Sequence, residues 1–266
     1  MNQALAKAQI EANITSRFGS IFKIGEKPPA DFLSSGLPEI NALTGGGLPR
    51  GAITEIFGAA SSGRASLLSV TLSHAMMRGE TCAVVDTSDS FDPASAARAG
   101  VNFNSLLWVR CGNSVERAFK ATDLLLQSGG FGFVALNLAD IAVNYARRII
   151  SSWWFRFCRA IENTPTAFMV MSPVACVGSC ASVILEMRSN NAVWHASSPL
   201  LQTKDIVENA GAHLTKSHQI SLVEDLRQHP SSSLTHAYLL RAIDVQVKLT
   251  KPTIWTEGSL RFHQVA

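Results

Sequence analysis

Charge is scarce in this sequence, and no long apolar run occurs. Asp, Glu, Lys and Arg make up 16% of its 266 residues against 47% hydrophobic residues, which describes a globular protein with a somewhat apolar surface, of the kind that lives in an assembly. No stretch approaches the ~20 apolar residues of a membrane span. The N-terminus lacks the apolar core of a secretory signal, so the expected location is cytoplasmic, with no membrane partner. The five cysteines have no histidine at metal-ligand spacing, which excludes a zinc site and a disulfide framework and leaves buried, reduced thiols. No metal is expected. The seven histidines are scattered, and the formal net charge of only +3 is compatible with nucleic acid without demanding it. Internal repeats and low-complexity tracts are absent.

What is present begins at Gly58-Ala-Ala-Ser-Ser-Gly63-Arg64-Ala65-Ser66. The spacing is that of a phosphate-binding loop, GxxxxGK[ST], in which backbone amides cradle the phosphates, the lysine reaches the β and γ phosphates and the hydroxyl holds Mg²⁺. A strand-like run, Ile53 to Phe57, leads into it, and a helical pattern with Leu67, Leu68, Leu72, Ala75 and Met76 follows, which is the context the motif requires. The chemical positions differ. Arg64 stands for the lysine and offers a planar fork in place of a compact ammonium, and Ala65 cannot ligate a metal. The amides of Ala60, Ser61, Ser62, Gly63 and Arg64 survive whatever the side chains are, so ATP bound without hydrolysis stays open.

Along the chain, Cys82 to Asp86, Phe133 to Leu136 and Ala167 to Met171 read as buried parallel strands, with helical patterns around 114–128 and 142–162 between them. Alternation of this kind predicts an α/β fold: a central, mostly parallel, twisted sheet flanked by helices. Shorter strands at Ala192–His195, His218–Leu222, Ile243–Leu249 and Ser259–Phe262 extend that sheet. Ahead of it, a helical stretch from Gln3 to Ile14 breaks at Gly19, a short strand Ser20–Ile24 closes at Gly25, and Pro28-Pro29 marks a linker. The expected organisation is a helix–strand arm over residues 1–27 and a core over 28–266.

The runs Ser35-Gly-Leu-Pro-Glu-Ile-Asn-Ala-Leu43, Gly45-Gly-Gly-Leu-Pro-Arg-Gly51, Glu55-Ile-Phe-Gly58 and Ser61-Ser-Gly63, continuing through Gly79 to Asp86, Phe91-Asp-Pro93 and Ala99-Gly-Val101, resemble the bacterial RecA recombinase family. The segment Phe18 to Gly25, with Phe22 and Ile24, is similar to that family's polymerisation arm. The resemblance is close over residues 1 to about 112 and loose thereafter. It implies a RecA-like P-loop fold, and it makes the departures informative. Where the family has the glutamate that polarises the attacking water, this chain has Ser88; where the second metal-side strand ends in Asp, it has Asn137; the γ-phosphate-sensing position is Ser172, followed by Pro173. Losing a general base costs on the order of 10² to 10⁴ in rate, and losing metal ligands removes the charge neutralisation phosphoryl transfer depends on. Arg64, Ala65, Ser88 and Asn137 together predict a pseudo-ATPase with degenerate Walker A and B motifs and no catalytic residue. Too few residues lie between Asn137 and Arg147, and between Ser172 and Ala181, for the family's two long DNA loops.

From Val143 to Ile161 an apolar stripe at Val143, Ala146, Ile150, Trp153, Phe157 and Ile161 has the spacing of one core-facing helix, with a basic stripe at Arg148, Ser152, Arg156 and Arg159 beside Trp154 and Phe155. Two readings stand: a solvated face, or a partner or nucleic-acid surface of Trp154, Phe155, Arg156 and Arg159. Lys251 resembles the lysine by which a RecA subunit reaches a neighbour's ATP site, and a structural strand with outward lysines explains it equally well. The truncated layout and Arg147-Arg148 resemble the ImuA/SulA-like accessory proteins of the damage-inducible mutasome. That resemblance implies a non-catalytic adaptor of the DNA damage (SOS) response, linking translesion polymerase subunits to a RecA-type recombinase filament or to single-stranded DNA. A divergent DNA-dependent ATPase of homologous recombination and a homo-oligomeric structural protein are the alternatives.

Overall fold

The parallel strands form where the sequence runs apolar on both faces. In the computed structural model, which describes residues 31–194, 240–252 and 256–263, β1 (Phe32–Leu33) pairs antiparallel with β2 (Leu48–Pro49), and α1 (Pro38–Thr44) lies between them in sequence. Then follow β3 (Ala52–Gly58), α2 (Arg64–Met77), β4 (Cys82–Asp86), α3 (Pro93–Arg98), β5 (Leu106–Arg110), α4 (Val115–Ser128) and β6 (Phe133–Asn137). The remaining elements are α5 (Val143–Ala146), α6 (Ser151–Ile161), β7 (Ala167–Ser172), β8 (Ala181–Trp194), β9 (Leu240–Lys251) and β10 (Thr256–His263). The chain divides into two units, Met1–Asp31 and Phe32–Ala266, and the elements above belong to the second.

One eight-stranded sheet carries the unit, in the order β10-β9-β8-β3-β7-β6-β4-β5. Strands β5, β4, β6, β7, β3 and β8 run parallel to one another, whereas β9 pairs antiparallel with β8 and β10 antiparallel with β9. Period-two alternation divides the buried residues between two layers. Cys82, Val84, Phe133, Ala135, Met169 and Met171 face one core with Leu67, Leu68 and Leu72 of α2. Ala83, Val85, Val134, Leu136, Phe168 and Val170 face the other with Phe119 of α4 and Trp154, Phe157 and Ile161 of α6. Helices on both faces of a mostly parallel sheet are the α/β architecture expected.

The differences lie in the details. Strand β5 is an addition to the expected strands and pairs parallel with β4 at the edge of the sheet. The terminal strands are longer than expected: Ala192 belongs to the fourteen-residue β8, while the segment His218–Leu222 lies outside the described residues, as does the arm with Phe22 and Ile24. The helix expected over 142–162 is two helices. Ile150 takes an extended conformation (φ −70°, ψ 135°) ahead of α6, which resets the helical phase. The buried ridge becomes Trp154, Phe157 and Ile161, and Val143 and Ile150, expected in the core, are 40% and 62% exposed.

Candidate nucleotide site

Parallel register brings the carboxyl ends of four adjacent strands to one edge, where open α/β sheets bind ligands. Phe57 lies opposite Ser172, Gly58 opposite Met187, Asn137 opposite Met171, and Asp86 opposite Asn137. The loop from Gly58 to Gly63 rises over this edge into α2, whose first turn has no side-chain cap. Ser61 and Gly63 are left-handed, with φ of 59° and 89°. Both glycines are in close quarters: a Cβ on Gly58 would lie 2.2 Å from the Met187 carbonyl oxygen, and one on Gly63 would lie 2.8 Å from Val245 Cγ2 and 3.1 Å from Phe262. Above the loop opens a cleft of about 590 Å³, lined by every residue from Ala60 to Ser66 and, opposite them, by Phe91, Asn137, Asp140, Met171 and Phe262.

Arg64 does not project into that cleft as a phosphate-binding cation. It is only 6% exposed; its Nη1 donates to the Ser172 carbonyl at 2.6 Å and its Nη2 to the Ala59 carbonyl at 3.3 Å. Burial lowers its pKa, an effect opposed by the nearby Asp140 carboxylate, but a guanidinium keeps its charge regardless. The cation of the loop is therefore bonded to the loop's own backbone and to the end of β7. Ala65 is exposed at the mouth with no hydroxyl. Among the described residues the buried Ser62 hydroxyl meets no hydrogen-bond partner.

The metal side is likewise rearranged. Asn137 is 4% exposed, and its Nδ2 donates to Asp86 Oδ1 at 3.2 Å and Ser90 Oγ at 2.9 Å, while its Oδ1 accepts from the Ala139 amide at 3.1 Å. Asp86, fully buried, also accepts from the amides of Ser90 (3.2 Å) and Phe91 (2.9 Å). The Asp86–Ser90–Asn137 network was not foreseen from the sequence, where only the loss at Asn137 carried a signal. Ser88 is half-buried and does not line the cleft. Asp89, the nearest carboxylate in sequence, points away into a bidentate pair with Arg110, at 3.0 Å on both arms, and the hydrogen bond from Arg110 holds its pKa below the ordinary carboxylate value.

The cleft has room for a phosphate, with the Ser62 amide donating to the Ala59 carbonyl at 3.3 Å, but the side chains do not fit a magnesium nucleotide: the loop cation is engaged elsewhere and the hydroxyl is missing. Among the described residues no cluster of three His, Cys, Asp or Glu side chains could hold a metal.

The connection from Ser172 to Ala181, where the second DNA loop would lie, is short and tied down. Buried Glu55 accepts through Oε1 from the amides of Cys176 (2.6 Å) and Val177 (3.0 Å). Lys251 donates through Nζ to the carbonyls of Ser179 (2.9 Å) and Ala181. Its ammonium thus ties the end of β9 to the turn ahead of β8 and to the first residue of β8. The expectation of an interface is corrected at Trp154. It is 1% exposed and packs on Phe119 and Phe157 at centroid distances of 5.1 and 5.9 Å, so it belongs to the core. Its neighbours do reach the surface: Phe155 is 56% exposed and Arg159 is exposed. The side chain of Arg156, 57% exposed, pairs bidentately with Asp123 at 2.6 and 2.5 Å.

Residues 2–145, more than half of the chain, match the family model described as the RecA N-terminal domain. Protein RecA of Rickettsia canadensis (strain McKiel) is 37% identical over 137 residues, covering 50% of this chain and 39% of that protein. Protein RecA of Ectopseudomonas oleovorans is 36% identical over 195 residues, covering 65% of this chain and 56% of that protein. The matches thus span about half or less of these relatives' length. Among solved structures, one described as the RadB recombinase aligns with a TM-score of 0.49 and 19% identity, over 59% of this chain and 83% of that one.

Proposed function

The chain belongs to the RecA family, and from that premise we propose that it is a non-catalytic RecA-like adaptor of the DNA damage response. In this reading it joins a recombinase filament, or DNA, to the machinery of translesion synthesis. The observation that carries it is Arg64, whose guanidinium is bonded to Ser172 and Ala59 in the place a phosphate-binding lysine would need. The asparagine at 137, engaged with Asp86 and Ser90, and the missing hydroxyl at Ala65 support the same conclusion from the metal side. Phosphoryl transfer rests almost wholly on positioned cations, so turnover falls to background when both are lost. Docking on the filament is assigned to residues 1–27, by their resemblance to the polymerisation arm, and recruitment of polymerase subunits to the rest.

The second reading, a divergent DNA-dependent ATPase, draws on one feature: the cleft over the loop is open and lined by its full length. The experiment that separates the two is ATP turnover by the purified chain with and without single-stranded DNA, beside an Arg64→Ala control. Turnover at background throughout is the expected result. DNA-stimulated turnover abolished by Arg64→Ala would restore the recombinase.

A further inference from the structure

The formal charge of the chain is concentrated in one place. Residues 141–161 contain Arg147, Arg148, Arg156 and Arg159 and no carboxylate, +4 of a net charge of +3, which leaves −1 for everything else. Arg156 is neutralised by Asp123; among the described residues no carboxylate pairs with the other three. All three are exposed. Interspersed with them are the largest exposed apolar side chains of the segment: Tyr145 at 53%, Ile150 at 62% and Phe155 at 56%. On α6, Phe155 and Arg159 are four residues apart and therefore share one ridge; Ile150 and the arginine pair stand at its N-terminal end. Arginine beside aromatic and aliphatic side chains is the composition of interface centres, whereas lysine and acidic residues are depleted there.

We infer that the surface formed by Arg147, Arg148, Ile150, Phe155 and Arg159, flanked by Tyr145, docks an acidic amphipathic segment of a partner protein, with apolar residues along one face and carboxylates beside them. Charge complementarity fixes the sign of the partner, because three guanidinium groups with no carboxylate partner among the described residues would repel a basic surface and lose hydration without compensation against a neutral one. The aliphatic Ile150 separates this partner from nucleic acid: a base gains most by stacking on a π-face, which Ile150 lacks, whereas a leucine or phenylalanine of an amphipathic helix packs on it as well as on Phe155. The inference rests on the adaptor reading and names the chemistry of its recruited partner.

The test is fluorescence anisotropy on the full chain with three labelled probes: an acidic peptide with Leu and Phe on one helical face and Glu on the other, a scrambled peptide of the same composition, and oligo-dT. The patterned peptide is expected to bind more tightly than the scrambled one, to weaken by about tenfold with Phe155→Ala or Ile150→Ser, and to be lost with Arg147→Glu/Arg148→Glu. These positions are exposed, and circular dichroism confirms that each variant is folded; Arg159→Glu supplies an independent charge reversal. Equal binding of the two peptides, or binding unaffected by all four variants, would overturn the inference. So would oligo-dT binding that these substitutions abolish while the peptide is indifferent, since the surface would then belong to nucleic acid. Co-sedimentation with recombinase filaments reads the adaptor premise separately and does not depend on this surface.

Discussion

Arg64 can be read as an internal substitute for a ligand. A lysine at the same place has a single ammonium and cannot span the Ser172 and Ala59 carbonyls as a guanidinium fork does. Arg64→Lys is therefore expected to free the cradle and to tighten ATP binding by about tenfold, measured by calorimetry, while turnover stays at background because Ala65, Ser88 and Asn137 are unchanged. Asn137 gives the complementary expectation. Restoring a carboxylate by Asn137→Asp removes the donor to Asp86 Oδ1 and sets two buried carboxylates against each other. The expected loss is about 3 kcal/mol at pH 7 in urea melts. It should shrink as pH falls and one proton relieves the repulsion.

The thiols supply a pH expectation at the same scale. Burial, aided by the nearby Glu80, pushes Cys82 up to about 12; burial and then Glu55 push Cys176 up to about 12; burial and then Cys180 push Cys158 up to about 11. Each thiol keeps its proton in the folded state after the unfolded chain has begun to lose it, near the ordinary value of 9.0. Stability is therefore unaffected by these groups below pH 9 and declines as pH rises from there toward 11 to 12. Urea midpoints compared at pH 8 and pH 10 should fall in the wild type and fall less in a Cys82→Ala/Cys176→Ala variant. Of the residues that matter, those set by covalent type were legible in the sequence: Arg64, Ala65 and Asn137 announce what they cannot do. Where Arg64 sends its guanidinium was not legible, because its acceptors are carbonyls, and every residue has one.

Among the elements, the strand–loop–helix of β3 and α2 and the strands β4, β6 and β7 could be read directly from apolar runs and glycine spacing. Helices α5 and α6 could not. Their residues fit a single 3.6-residue stripe, and only the extended backbone at Ile150 shifts the phase so that Trp154 turns inward and Phe155 outward. Adjacent aromatic residues cannot be assigned to core and surface by composition, and here they divide one each way. The contrast is measurable. Trp154→Ala should cost about 3 to 5 kcal/mol of stability and Phe155→Ala within about 0.5 kcal/mol, both by chemical denaturation. The shortened connection before β8 is another element-scale feature hidden from sequence, since Glu55 sits on a buried strand 121 residues from the Cys176 amide it holds.

For the molecule as a whole, the RecA family assignment rests on the match over residues 2–145, which ends before β7, β8, β9 and β10 begin. A sheet built from its own buried layers gives a direct expectation for the arm. Deleting residues 1–25 should abolish co-sedimentation with recombinase filaments and leave the circular dichroism and denaturation midpoint of the remainder nearly unchanged; loss of the fold on deletion would show that the arm is structural.

The loop's two glycines have a consequence for how such chains are recognised. Gly58 is crowded by the Met187 carbonyl and Gly63 by Val245 and Phe262, so packing against β8, β9 and β10 holds both in place whether or not a phosphate ever enters. Selection on folding alone is then enough to preserve the outline of the motif, with no demand from phosphate chemistry. A glycine signature at this position therefore reports the packing of the fold, and by itself says nothing of turnover.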